Sequence, residues 1–181
     1  MATYGDRAGP PRPRVPPRRA RGAIYLDPFA APRELMVFFE DTGAIFDAPL
    51  DRVWKYLHSE RHGHAHARNA RNFEVKETVG PTTLISAERH LHGKWTTFVS
   101  KSSDFPPLCI VVEEIEGDFA GTKFVILYRP EGNVTRLDVY GDVQSKTFPE
   151  PEARRIFLEL LQGAYEDDEK AITELRHAGK L

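Results

Sequence analysis

The chain has 181 residues, of which 40% are hydrophobic and 29% charged, as is ordinary for one soluble globular domain. Its single cysteine, Cys109, excludes an intrachain disulfide and favours a reducing compartment. No apolar run approaches the roughly 20 residues that a membrane span needs. We therefore expect a cytoplasmic protein with no integral membrane span.

The net charge of -2 conceals two segments of opposite character. Residues 1–33 contain seven Arg, two Asp and seven of the 14 prolines, so they carry +5, and the remaining 18 basic and 25 acidic residues carry -7. A segment so rich in Pro and Arg cannot bury enough apolar surface to offset the entropy of ordering. We predict a disordered extension over residues 1–35, with Met36 as an alternative start, and a folded domain over 36–181. The extension lacks interleaved aromatic residues, so we expect no nucleic-acid partner.

A strand followed at once by a short amphipathic helix opens the folded part. Residues 36–46 are rich in aromatic and branched side chains and predict the first strand. Pro49 fits the first position of a helix over 49–57, and Asp51 fits its positive end. An apolar stripe at helical spacing predicts which residues face the core: Leu50, Val53, Trp54 and Leu57. The polar stretch 59–72 could hold one more short helix, broken at Gly63.

Evenly spaced turn signals then divide the chain into short strands without helices between them, which predicts an antiparallel meander. The candidate strands are 73–79, 82–91, 95–103, 108–116, 122–129 and 134–146. Alternation in the last strand predicts a core face with Leu137, Val139 and Val143 and a wet face with Asp138. A final helix is predicted over 151–177, with the charged run 166–170 mostly in solvent. Gly163 in its middle predicts close approach to the sheet or a bend.

The segment from Phe46 to Trp54, read as strand-Ala-Pro-x-Asp-x-Val-Trp, resembles the opening of the START-like (SRPBCC, polyketide cyclase/dehydrase and lipid transport) superfamily. The order of elements over residues 36–178 is also similar to that family. The resemblance implies an α+β helix-grip fold, in which a curved seven-stranded antiparallel sheet wraps around a long C-terminal helix, with two short helices after the first strand. It also implies a cavity between sheet and helix, in which family members bind lipids, quinones or polyketides and a few catalyse cyclisation or dehydration.

That cavity implies a set of ligand-binding residues from the inward strand positions and the final helix. Polar members would orient a ligand, and apolar members would enclose it. The candidates are Arg89, His90, Phe98, Tyr128, Leu137, Val139, Val143, Phe157, Leu161 and Ala164.

Histidines are the most conspicuous chemical signal. In a helix His58, His62 and His66 would share a face, whereas His62, His64 and His66 would align along an extended segment. Since no carboxylate lies at a matching offset, we interpret them as surface or mouth-lining residues and expect no metal. Glu113 and Glu114 point to opposite sides of a strand and cannot form a catalytic pair, so we interpret them as a solvated strand end. We expect no catalytic residue and no cofactor.

The resulting functional hypothesis is that a monomer or homodimer binds, or binds and transports, a hydrophobic or amphipathic small molecule such as a lipid, quinone or polyketide-like compound. One alternative is a polyketide cyclase/dehydratase-type enzyme that uses cavity His, Arg and Tyr side chains. A second alternative is a protein-interaction module. Two strands, 108–112 and 124–128, are apolar on both faces and could bind a protein partner through their outer sides.

Overall fold

The computed structural model describes residues 37–181, so the predicted extension over 1–35 and the residue Met36 lie outside it. The elements, in chain order, are β1 Val37–Phe46, α1 Leu50–Leu57, α2 Glu60–Ala65, a 3-10 turn His66–Arg68, β2 Ala70–Val79, β3 Thr82–Leu91, β4 Lys94–Phe105, β5 Cys109–Glu116, β6 Lys123–Glu131, β7 Val134–Val143 and α3 Glu150–His177. None of the helices in this range is long and apolar enough to cross a membrane.

The seven strands form one antiparallel sheet in the order β1-β7-β6-β5-β4-β3-β2. The chain runs through β2 to β7 as a meander, and β1 pairs with β7 at the far edge. This curved sheet, the long C-terminal helix and the two short helices after β1 confirm the predicted helix-grip α+β fold.

Two apolar clusters pack between α3 and the sheet. The first surrounds Phe157, whose ring lies 5.3 Å from that of Phe39 and 5.4 Å from that of Phe119. The second lies further along α3 around Ile172 and includes Phe46, Tyr128 and Leu137. Since Phe39, Phe119 and Ile172 are completely buried, α3 is anchored mainly against the β1 and β7 side of the sheet.

Helix α1 differs from the prediction in which aromatic residue it buries. Pro49 is the N-cap, and the helix begins one residue later than predicted. Trp54 is only half-buried, with its ring edge-on to Tyr128 at 5.6 Å, whereas Tyr56 is 2% exposed. Tyr56 belongs to the second cluster with Ile172 of α3, and its ring lies 5.6 Å from that of His62 on α2. A pattern on α1 alone does not contain these neighbours.

The two helical glycines also behave differently from the prediction. Helix α2 continues through Gly63, where an added Cβ would meet open space. Gly163 approaches Asn69, whose Nδ2 would lie 3.3 Å from an added Cβ, so the close approach is to the segment before β2 and not to the sheet.

One residue on the outer side of β7 is buried, although that side was predicted to face solvent. Asp138, predicted in solvent, is completely buried. Its carboxylate forms ion pairs with Arg129 of β6 and with Arg136 of β7. It also accepts a 3.2 Å hydrogen bond from the backbone N–H of Gly43. Gly43 has φ +93° where β1 bulges, a conformation that aims its N–H at the carboxylate.

Candidate functional site

The concave face of the sheet is defined by strand register. Val112 of β5 lies opposite Phe124 of β6, and Phe124 packs against the first cluster, so Val112 faces inward as well. The same reasoning places Ser102 of β4, the partner of Val112, on this face. The inward side chains of β4 and β5 are half-buried: Phe98, Ser100, Ser102, Ile110 and Val112. This part of the face therefore combines apolar side chains with hydroxyl groups that reach solvent.

Most predicted ligand-binding residues lie on the interior side of the sheet, but several of their side chains pack within the two apolar clusters. Phe157, Val139 and Val143 belong to the first cluster, against which Leu161 packs, and Tyr128 and Leu137 belong to the second. Burial raises the pKa of Tyr128 above its ordinary value, and the negative charges of Asp168 and Asp104 act in the same direction. Its phenol therefore stays protonated at neutral pH.

His90 and Ala164 stand apart from the two clusters. His90 is exposed and its ring lies 5.2 Å from that of Trp95, while Arg89 beside it points inward. His90 lines a cleft of about 430 Å³ between the end of β3 and the middle of α3, together with Leu91, Leu160 and Gly163. Ala164 is half-buried on α3.

Arg89 and Glu114 form a buried ion pair on the concave face. Nη2 of Arg89 meets Oε2 of Glu114, and the guanidinium lies 3.8 Å from the ring centre of Phe98. The other oxygen of Glu114 accepts a 3.1 Å hydrogen bond from the N–H of Phe119. Burial raises the pKa of Glu114, and the charge of Arg89 opposes that rise. Glu114 was predicted to lie at a solvated strand end, and it is 5% exposed because the following loop folds back over it.

A second polar site lies where α2 meets α3. The i, i+4 spacing of His62 and His66 brings both rings to one side, 4.9 Å apart, facing the carboxylate of Asp168. The side chains of His66 and Asp168 are only 14% and 11% exposed. The interpretation as surface or mouth-lining residues thus leaves out that His66 lies against Asp168 of α3. The charged run was predicted to lie mostly in solvent, and Asp168 is its buried exception.

Neighbouring groups orient this cluster. The phenol of Tyr56 donates a 2.7 Å hydrogen bond to Oδ1 of Asp168, and Asn69 donates a 3.3 Å hydrogen bond to Asp167. Burial lowers the pKa of His66, although the charge of Asp168 acts in the opposite direction, so this imidazole is neutral at neutral pH. Burial also raises the pKa of Tyr56, with Asp168 contributing in the same sense.

The other histidines of this segment lie outside the cluster. His58 sits 3.0 Å from Asp104 through its Nε2, while its Nδ1 lies 2.9 Å from the carbonyl of Trp54. His64 is exposed and lines a groove with Ala171 and Glu174 of α3, away from Asp168. The predicted helical face with His58 does not form, because α1 ends at Leu57 and α2 begins only at Glu60. The predicted extended alignment with His64 does not form either, because the segment is helical.

Solved structures with the same fold come from several kinds of protein. A START superfamily protein from Mycobacterium smegmatis superposes with a TM-score of 0.65 at 16% identity, covering 76% of this chain and 98% of that one. The Zhui aromatase/cyclase from a Streptomyces species gives 0.63 at 19% identity, with 81% and 99% covered. The human StarD13 lipid transfer and protein localization domain gives 0.57 at 17%, with 75% and 76% covered.

These likenesses show that the protein has the START-like (SRPBCC) helix-grip fold. No family model matches the sequence, and no curated protein matches it either. At identities of 16–19%, a likeness between structures shows the fold alone.

Sequence reasoning missed Tyr56, Glu114 and Asp168. A signal for two of them was helical spacing from a core residue: Tyr56 follows Val53 by three positions, and Asp168 precedes Ile172 by four. For Glu114 it was its cross-strand relation to β4. None of the three is distinguishable from a surface residue until elements distant in the chain are brought together.

Proposed function

We propose that the protein binds an amphipathic small molecule against the concave face of β4 and β5. The observation that carries this proposal is a contrast in burial across one face of the sheet. Val139 and Val143, on the strand against which α3 packs, are buried, whereas Phe98, Ile110 and Val112 keep accessible surface.

The chemistry of this face suits a ligand with an apolar body and a polar group. Ile110 and Val112 offer apolar contact, and the ring of Phe98 is held in place under the guanidinium of Arg89. The hydroxyls of Ser100 and Ser102 offer donors and acceptors that fix an orientation. A mainly apolar surface with a few placed polar groups is the usual composition of a small-molecule site.

Binding accounts for these residues more simply than cyclase chemistry does. Arg89 is engaged by Glu114, and the Tyr128 phenol is buried with its pKa raised. A general acid or base works best with a pKa near the operating pH. The START superfamily and lipid-transfer structures that share the fold support binding, and the aromatase/cyclase structure supports the enzymatic alternative.

The test compares two adjacent valines on opposite faces of β5. Val112→Trp fills the inward space, while Val111→Trp adds the same bulk to the outer face, where Val111 is 39% exposed. We expect Val112→Trp to weaken binding of the apolar dye anilinonaphthalene sulfonate about tenfold and Val111→Trp to leave it unchanged. Ser102→Phe is a second inward variant, and thermal unfolding verifies that each variant is folded.

Native mass spectrometry of the purified full-length protein provides an independent measurement. We expect a co-purified apolar compound that is depleted in Val112→Trp. Equal dye binding by the wild type, both inward variants and the outer variant would overturn the proposal, because the dye would then bind elsewhere.

A further inference from the structure

We propose that His62, His66 and Asp168 bind a divalent transition-metal ion. Each of the three residues offers one ligand atom, and these three atoms lie within 4.8 Å of one another. The ligands come from α2, the turn that follows it and α3, so tertiary packing assembles the site.

The distances within the cluster suit ligands around an ion. Nε2 of His62 lies 3.6 Å, and Nε2 of His66 lies 3.4 Å, from Oδ1 of Asp168. Nitrogen and oxygen ligands about 2.0–2.2 Å from a tetrahedral ion are separated from each other by about 3.3–3.6 Å. A hydrogen bond would bring such atoms to about 2.7–3.2 Å. The two nitrogen–oxygen separations therefore match edges of a coordination tetrahedron.

The groups around the cluster are those that orient metal ligands. The Tyr56 phenol donates to Oδ1 of Asp168 at 2.7 Å, which fixes the carboxylate. On the side of the His66 ring away from Asp168, Nδ1 lies 3.9 Å from Oδ2 of Asp167. This distance is that of an ion pair and is longer than a hydrogen bond. A carboxylate on that side of a ligating imidazole fixes its tautomer and makes it more basic when the ring N–H donates to it.

The donor set defines the class of ion. Two imidazoles and one carboxylate suit zinc, iron and similar divalent ions, whereas calcium and magnesium prefer oxygen ligands throughout. Three protein ligands also leave a coordination position for water or another molecule, as in zinc sites that act on a substrate.

The alternative for the same geometry is a metal-free cluster in which Tyr56 alone partners the buried carboxylate of Asp168. The two arrangements differ in whether the wild type takes up an ion stoichiometrically. They also differ in whether removal of a single ligand abolishes that uptake while the fold is retained.

The test uses the full-length protein, stripped with a chelator and titrated with ZnCl₂ by calorimetry, with the bound metal measured by elemental analysis. We expect one zinc ion per chain. We expect Tyr56→Phe to weaken binding about tenfold, and His66→Gln and Asp168→Asn to weaken it by on the order of 100-fold or more, since loss of a ligand exceeds loss of an outer partner. His64→Gln on the exposed side of α2 is the matched control and should bind like the wild type.

Cobalt provides a spectroscopic measurement that a structural role of these residues would not affect. Four-coordinate Co²⁺ absorbs visible light far more strongly than six-coordinate Co²⁺, so we expect intense bands in the wild type and in His64→Gln and their loss in His66→Gln. Thermal unfolding of each metal-free variant shows whether it is folded. A wild type without stoichiometric zinc, or zinc binding that is equal in the ligand variants, would overturn the proposal.

Discussion

The phenol of Tyr56 donates a 2.7 Å hydrogen bond to Oδ1 of Asp168, which joins α1 to α3 across 112 positions of the chain. Tyr56 is 2% exposed and Asp168 is 8% exposed. The bond therefore satisfies a carboxylate that has little access to water, and it fixes α1 against the C-terminal helix.

Replacing Tyr56 with Phe tests the contribution of this bond to stability. The substitution keeps the ring and removes the donor, so we expect the free energy of unfolding to fall by about 1.5–3 kcal/mol. Urea denaturation followed by circular dichroism measures the change. Tyr140→Phe, on a half-buried position of β7, is the control and should shift the value by less than about 0.5 kcal/mol. Equal effects of the two substitutions would show that the Tyr56 bond contributes nothing specific.

Tyrosine ionisation should reveal two phenols that resist deprotonation. The chain has six tyrosines, and the pKa values of Tyr56 and Tyr128 are both raised by burial and by nearby carboxylates. Because the folded state favours their neutral forms, the stability that they contribute is present below a pH of about 10 and is lost as the pH rises toward their native pKa values. We expect an ultraviolet titration to show about one tyrosinate fewer near pH 10 in the native protein than in concentrated urea, because an ordinary phenol is half ionised at that pH and two phenols are held neutral. The same count in both would contradict this prediction.

Breaking the Arg89–Glu114 pair should destabilise the protein strongly, because either partner alone would leave a buried charge. We expect Arg89→Met and Glu114→Gln each to lower the free energy of unfolding by about 3–5 kcal/mol. The double variant Arg89→Met/Glu114→Leu should lose much less than the sum of the two, as chemical denaturation would show. The neighbouring pair of Glu113 and Lys123, 2.8 Å apart on the outer face, is the control, and Glu113→Gln should cost about 0–1 kcal/mol. Additive losses in the double variant would show that the two charges do not stabilise each other.

Replacement of glycine by alanine should lower the stability at one position and raise it at another. At Gly141 an added Cβ would lie 2.5 Å from Cβ and 2.7 Å from Cα of Phe124, so β6 and β7 would have to separate. We expect Gly141→Ala to destabilise the protein by about 1–3 kcal/mol. At Gly63 the space is open, and Gly63→Ala should stabilise α2 by about 1 kcal/mol. Thermal unfolding distinguishes these outcomes, and a stabilised Gly141→Ala would show that the sheet yields easily at that point.

Local patterns were sufficient to predict the elements and their order. Alternation over 134–143 and helical spacing in α3 predicted strand and helix, and turn residues at even spacing predicted the meander. These signals are local because backbone hydrogen bonding and the alternation of side chains depend on neighbours a few residues away. The helix-grip topology followed from the order of elements and its resemblance to a known family.

The candidate sites could be predicted only in part. Alternation placed Val139 on the interior side, whereas Arg89 and Phe98 were candidates that the family resemblance implied, and the structure has all three on that side. The partner of Arg89 was missed, because Glu114 is 25 positions away and the relation depends on how β3, β4 and β5 curve together. A burial pattern on one strand does not reveal which charge lies across the sheet.

The sequence by itself determined which segments form strands and helices, and it set His62 and His66 four positions apart. Only the tertiary structure decided what those histidines face. Asp168 lies within a run of charged residues whose composition predicts exposure to solvent. It is buried because Ile172, one turn further along α3, is completely enclosed in the core. The same side of α3 therefore faces inward, where Asp168 meets His66. A ligand set drawn from positions about 100 residues apart is assembled by packing, which no local periodicity encodes.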